Sequence, residues 1–146
     1  MRVVNEMKLS EENKERIVKE IQFVIENMKG TADMDESLYY LSAIHSIINR
    51  IFNIEFNQHL LFIHFVLVNC YGTILKAVAI ARQGKQPITI DSEFFTKLTE
   101  LLDELANAIK ENKTTFEILE KISVYTYSIS GNGYFLKKKG IKVIDF

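Results

Sequence analysis

The amino-acid sequence predicts a mainly α protein, a bundle of four to five helices with a central apolar helix and a small C-terminal β-hairpin or meander. Two patterns indicate this fold. Apolar residues recur at three- and four-residue spacing behind helix-capping residues, and turn residues interrupt the last part of the chain. The length of 146 residues, with 47% hydrophobic and 25% charged residues, predicts a single domain over residues 1–146.

Charge and cysteine content narrow the possible functions. A formal net charge of -1 gives no overall positive field, so contact with nucleic acid would need a local basic patch. Cys70 is the single cysteine, which excludes an internal disulfide and a multi-cysteine metal site. The first residues, MRVVNEMKLSEENKER, lack the apolar run of a signal peptide. We therefore expect a cytoplasmic protein.

Capping residues followed by amphipathic stripes predict the first two helices. Ser10 caps a helix that Gly30 ends. The apolar stripe of this helix is Ile17, Ile21, Val24 and Met28. Asp33 and Glu36 form a variant capping box before a second helix, which should end near Asn53. The stripe of the second helix is Leu38, Leu41, Ile44, Ile48 and Ile51.

The most apolar segment, HLLFIHFVLVNCYGTILKAVAIA at residues 59–81, predicts a third helix over about residues 57–82. It is long enough to cross a bilayer, but a central lysine such as Lys76 costs roughly 3 kcal/mol in insertion. Asn69, Thr73 and Lys76 share a helical sector that Phe62 and Phe65 occupy earlier. We expect a central core helix whose first half is surrounded, and no membrane span. Membrane insertion and an apolar face covered by a partner chain stay open as alternatives.

The chain after this helix should finish the bundle and then form strands. Asp91 caps a fourth helix, and Thr114 with Glu117 forms a capping box for a short fifth helix, so the bundle covers about residues 10–122. The segment VYTYSIS is rich in β-branched and aromatic residues, which favours a strand, although helical spacing also fits it. The turn signals GNG and KKG border YFLK and IKVIDF, which predicts a small β element over residues 123–146.

Three histidines and a nearby carboxylate make a weak case for a metal site. The candidate residues are His45, His59, His64 and Glu55. On one helix His59 and His64 point about 140° apart, so they cannot share an ion, and only Glu55 lines up with His59. His45 could meet either histidine of the third helix. The common metal, nucleotide and hydrolase motifs are absent from the sequence, so we expect no metal, no cofactor and a structural Cys70.

The C-terminal segment combines aromatic rings with lysines. The candidate residues for contact with single-stranded nucleic acid are Tyr134, Phe135, Lys137, Lys138, Lys139 and Lys142. Aromatic rings can stack on bases while lysines neutralise phosphates. Lysines on an exposed edge strand also discourage aggregation, which is the competing interpretation.

The sequence therefore favours an interaction role over catalysis. It carries several aliphatic helix faces and one basic end, and no catalytic motif. We expect a non-enzymatic interaction module, either an oligomeric helical protein or a small helical subunit of a protein or nucleoprotein assembly. The alternative is a small-ligand- or metal-dependent enzyme with a histidine-containing site between the second and third helices.

Overall fold

The computed structural model describes residues 8–84 and 90–141, apart from the side chain of Tyr134. Over these residues it contains six helices and no strand. Helices α1 to α6 span Glu11–Lys29, Met34–Ile54, Gln58–Arg82, Ser92–Lys110, Phe116–Ser128 and Gly131–Lys138. The mainly α prediction is confirmed, whereas the predicted β element is wrong for the described residues up to 141.

Most helices begin with a side-chain cap at or next to the predicted position. The Asp33 carboxylate accepts the backbone N–H groups of Asp35 and Glu36 at 2.8 and 3.1 Å. Asn57 caps α3 in the same way, accepting the N–H of His59 at 2.9 Å. Since these bonds satisfy N–H groups that have no partner within the helix, they fix where each helix starts.

The start of α5 differs from its prediction. The helix begins at Phe116, and the preceding Thr115 makes no cap bond with its side chain. Thr114 accepts the N–H of Phe116 at 3.4 Å, so it takes part in the turn before the helix. The capping box predicted from Thr114 and Glu117 is therefore wrong, although a helix does follow within two residues.

Helices α1 to α5 pack around a shared hydrophobic core in the ring order α1, α2, α3, α5, α4, so that each has two principal neighbours. α2 and α3 are antiparallel, because Arg82 at the end of α3 pairs with Asp35 at the start of α2 at 3.0 Å. α3 and α5 run in the same direction. Near their starts the rings of His59 and Phe116 stack at 5.5 Å.

The core is built from aliphatic side chains that point into the ring. The stripes predicted for α1 and α2 are buried. The largest fully buried side chains are Ile17, Ile21, Ile25, Leu41, Ile44, Ile48, Ile51, Leu60, Ile63, Leu67 and Ile74. Burying one such side chain stabilises the fold by about 1.5–3 kcal/mol relative to exposure, so this core dominates the packing.

α3 is not the central helix that the sequence predicted. It lies in the ring between α2 and α5, and Phe62 and Phe65 in its first half are 43% and 62% exposed. Helices arranged around a common core each keep an outer face, and α3 is no exception. Within the described ranges, α3 is the one helix long and apolar enough, by length and composition alone, to cross a bilayer.

Helical packing prevails over β propensity in the segment VYTYSIS. Its first five residues continue α5 to Ser128. Thr126 is buried, and its hydroxyl donates to the carbonyl oxygen of Ile122 at 2.7 Å. The ring of Tyr125 stacks on Phe94 of α4 with centroids 4.9 Å apart. The predicted strand is wrong because side chains four residues apart find partners across a helix face.

The two predicted turns, GNG and KKG, are the ends of a helix. Ser130 caps α6 and accepts the N–H of Gly133 at 2.9 Å, so GNG is its first turn. A Cβ at Gly133 would overlap the carbonyl oxygen of Tyr127, which explains the glycine. Gly140 has φ +82° and ends α6, as glycine commonly does. YFLK is therefore helical, and the strand predicted at IKVIDF lies, after Ile141, outside the described residues.

Two glycine-to-alanine substitutions should change stability in opposite directions. Gly133→Ala should lower the free energy of unfolding by about 1–2 kcal/mol, because α6 must move away from Tyr127. Gly72→Ala should raise it by about 0.5–1 kcal/mol, since Gly72 lies inside α3. A Cβ there meets nothing within 4 Å. Urea denaturation of dilute protein, followed by circular dichroism, measures both. Equal shifts for the two variants would contradict the close approach of α6 to α5.

Candidate functional site

Two of the residues predicted as weak metal ligands, Glu55 and His59, each contact a different part of the fold. Glu55, directly after α2, accepts the backbone N–H of Ser10 at 3.1 Å and the side-chain amide of Asn13 at 2.8 Å. These hydrogen bonds, first those from Ser10, hold the pKa of Glu55 below its ordinary value. His59 is buried and stacks on Phe116. Glu55 thus joins the start of α1 to the end of α2, while His59 serves the contact between α3 and α5.

His45 on α2 and His64 on α3 lie side by side. Their ring centroids are 5.9 Å apart, and Nδ1 of His64 lies 3.1 Å from the backbone carbonyl oxygen of His45, to which its N–H donates. The ring of Tyr71 is 5.4 Å from that of His45. Nε2 of His45 is buried without a hydrogen-bond partner in the described part of the chain. Of the two partners that the sequence left open for His45, the structure selects His64.

Among the described residues, no third possible metal ligand accompanies this histidine pair. Zinc sites use three or four protein ligands, and the described ranges contain no group of three His, Cys, Asp or Glu side chains placed to hold an ion. Cys70 is buried, and this burial raises the pKa of its thiol. A thiol of this kind is a weak nucleophile. What the structure shows for the pair is a ring contact and a side-chain-to-backbone hydrogen bond between α2 and α3.

Stability should decrease as the pH falls through the ordinary pKa of His45. Burial, and next the charge of His64, lower the pKa of His45 from 6.5 in the folded protein. Below pH 6.5 the unfolded chain therefore binds more protons than the folded protein. The contribution of neutral His45 to the free energy of unfolding is complete above pH 6.5 and is lost as the pH falls. His45→Gln should flatten the pH dependence. Urea midpoints at about pH 7.5 and about pH 5.5 measure the difference between variant and wild type.

The predicted nucleic-acid residues lie on and just after α6, on a helix and not on a hairpin. Phe135 is 54% exposed, and Nζ of Lys139 lies 5.7 Å from the centre of its ring in cation–π geometry. Lys137 and Lys138 form the last turn of α6, where positive charge also favours the helix dipole. Outside the described part of the structure lie Lys142 and the side chain of Tyr134.

An apolar stripe on the outer face of α3 is a functional candidate that the sequence reasoning left open only as an apolar face covered by a partner chain, without naming its residues. We call it the α3 stripe. Its members, spaced alternately by four and three residues, are Leu61, Phe65, Val68, Gly72, Leu75 and Ala79. All are exposed, Phe65 by 62% and Leu75 by 45%. At 1.5 Å per residue the stripe is about 27 Å long.

The signal for this stripe was present in the sequence. α3 is apolar on both its inner and outer faces, and the sequence reasoning took this as burial on all sides of its first half. The strict alternation of four- and three-residue steps, separate from the buried positions, is the pattern of a helix that packs against another helix. The membrane-length window of α3 is only 39% buried, so much of its apolar surface has no cover from the described residues.

The side of the stripe next to α5 is partly aromatic and partly polar. The exposed ring of Phe62 lies 5.6 Å from that of Phe116. Further along α3, Asn69 and Lys76 border an open groove of about 630 Å³ against Tyr127 and the start of α6. A partner helix on the α3 stripe would therefore meet aromatic rings at one end and polar groups at the other.

Comparison of the chain with protein-family models, with curated proteins and with solved structures finds no match. No family is therefore assigned. The surface chemistry of the chain itself is the remaining guide to its function, and the α3 stripe is an extended apolar element of that surface.

Proposed function

We propose that this protein is a non-enzymatic interaction module that binds another protein chain through the α3 stripe. The main observation behind this proposal is the row of exposed apolar residues on α3, whose alternating four- and three-residue spacing is that of a helix packed against another helix. Each Å² of apolar surface that a partner covers contributes about 25 cal/mol. A helix with its own apolar face is the partner that this geometry fits best.

Gly72 supports a close-packed protein partner. A glycine inside a helix costs about 1 kcal/mol relative to alanine. No other group lies within 4 Å of a Cβ built at Gly72, so its small size serves no packing need among the described residues. On an exposed seam, a residue without a side chain lets a second helix approach at the short end of the usual 8–10 Å separation.

Bilayer contact is the competing explanation for the same apolar surface. Lys76 and Asn69 lie beside the stripe, and a central lysine costs roughly 3 kcal/mol in membrane insertion. The inner face of α3, with Leu60, Ile63 and Leu67, is packed into the core, so a spanning α3 would have to leave the bundle. The cost of inserting Lys76 and the cost of removing α3 from the core both favour a protein partner over a bilayer. We keep the predictions of no membrane span and a cytoplasmic location.

The enzyme alternative has one supporting observation: Nε2 of His45, next to His64, has no hydrogen-bond partner among the residues that the structure describes. Two imidazoles offer too few ligands for a usual zinc site, and no third ligand accompanies them in the described ranges. We therefore rank the enzyme alternative below the interaction module. Stoichiometric metal in the native protein that is lost in a His45→Ala variant would reverse this ranking.

Photo-cross-linking in the source cells tests the interaction module. A photoreactive phenylalanine analogue at Phe65 should give protein adducts, because a partner covers the α3 stripe. The same analogue at Phe23 on α1, which is 70% exposed, serves as the matched control and should give few. Gel analysis followed by mass spectrometry identifies the adducts. Absence of protein adducts at Phe65, or equal labelling at both positions, would contradict the proposal.

Contact with single-stranded nucleic acid through α6 is a second candidate, supported by the exposed Phe135 next to Lys138 and Lys139. Replacing both lysines, Lys138→Glu with Lys139→Glu, should weaken binding of a fluorescent oligonucleotide by about tenfold or more at low salt. Lys19→Glu on the exposed side of α1 is the control. Fluorescence anisotropy measures both. A wild-type protein that binds no oligonucleotide at low salt rules this candidate out.

A further inference from the structure

We propose that the partner of the α3 stripe is a second copy of this chain, with the two α3 helices packed antiparallel about a twofold axis. This inference rests on the proposed function, because it names the occupant of the same surface. Three features of the described residues lead to it: the symmetry of the spacing, the sizes of the side chains along the stripe, and the charges beside it.

The spacing of the α3 stripe is the same when read in either direction. Its members lie symmetrically about residue 70, so an antiparallel partner centred there meets the stripe in register along its whole length. The facing pairs are Leu61 with Ala79, Phe65 with Leu75, and Val68 with Gly72. A partner with the same stripe thus matches it position by position, as an isologous interface requires.

The side-chain sizes favour the antiparallel direction. In each of the three symmetric pairs, the residue in the first half of the stripe is larger than its counterpart in the second half, so every antiparallel pair joins a larger with a smaller side chain. In a parallel pair, Phe65 would meet Phe65 while Gly72 would meet Gly72. Crowding at one level and a void at the other both destabilise packing.

The residues beside the stripe are complementary under the same symmetry. On the α5 side, Phe62 of one copy comes within two residues, or about 3 Å of helix rise, of the level of Lys76 of the other. A cation–π contact can form between them. Asn69 lies near the axis and faces its own copy, and an amide can both donate and accept across it. These three residues are exposed in the described structure.

Charge also matches across the proposed interface. Glu117 and Glu120 are exposed on α5, which runs parallel to α3 from the level of Phe62. The twofold axis places Lys76 of the other copy at the level of residue 64, about 3 Å further along α3 than Phe62. Because Lys76 makes no ion pair with any residue that the structure describes, its charge is available to these carboxylates.

The size of the surface sets the expected affinity. A seam about 27 Å long, widened by side chains of α5, corresponds to the lower end of specific interfaces. We therefore expect a reversible dimer with a dissociation constant of about 1–100 µM. Sedimentation equilibrium should show a monomer of 16.9 kDa in dilute solution and twice that mass at high concentration.

A pair of charge substitutions tests both the partner and its direction. Phe65→Glu and Leu75→Lys should each abolish dimerisation, because each places a charge in the apolar seam. Mixed in equal amounts, the two variants should form a heterodimer, since position 65 of one copy faces position 75 of the other. A parallel dimer gives no such rescue. Phe23→Glu on α1 is the control and should dimerise like the wild type.

Gly72→Leu separates loss of association from loss of folding. Gly72 is exposed and a Cβ there meets nothing within 4 Å, so the variant should unfold at a higher urea concentration than the wild type in dilute solution. In the dimer the leucine would collide with Val68 of the other copy, and the dissociation constant should rise at least tenfold. A variant that is both more stable and still fully dimeric would overturn the arrangement.

The outcomes distinguish this inference from the proposed function. A wild-type protein that stays monomeric at about 200 µM overturns the second copy as partner, given the expected affinity. The interaction module survives that result if Phe65 cross-links to a different protein in cells. A different result would be a wild-type monomer that floats with vesicles of phosphatidylcholine and phosphatidylglycerol while the Phe65→Glu variant does not. That result contradicts both the interaction module and the second copy as its partner.

Discussion

A helix in a ring of five can bury the side that faces the core and the two flanks that meet its neighbours, but its outer side stays in water. This constraint governs α3, which is apolar on its inner and outer faces alike. Its inner side supplies core residues such as Leu60 and Leu67, while Phe65 on the outer side is 62% exposed. The ring that stabilises the protein is therefore the same arrangement that leaves it with an apolar stripe that no described residue covers.

The contacts around α3 make that stripe a rigid surface. At one end, Asn57 caps the helix and donates its amide to the backbone carbonyl of Lys8 at 2.6 Å. At the other end, Arg82 pairs with Asp35 of α2. α5 covers one flank and is itself fixed to α4 by the stacked rings of Phe94 and Tyr125. A surface held in this way loses little conformational freedom when a partner binds, which favours association.

Local chemistry predicted most helix ends, because caps such as Ser10, Asp33 and Asp91 act on the backbone within one turn. The errors came from tertiary context. The VYTYSIS segment has strand propensity but is helical because Tyr125 stacks on α4, and Gly133 marks a close helix crossing that resembles a turn signal. The His45–His64 contact depends on how α2 and α3 pair, which spacing left open between two histidines. All-round apolarity of α3 fits both a core helix and an interface helix, so composition could not separate them.

The position of Cys70 has a consequence for redox behaviour. Its buried thiol lies on the inner side of α3, at the level where the outer stripe has its centre. If two α3 axes approach to about 8–10 Å through their outer sides, the two cysteine Cα atoms remain roughly 13 Å apart. A disulfide requires less than about 7 Å. Oxidising conditions therefore cannot lock such an assembly covalently, and its formation would stay reversible whatever the redox state of the solution.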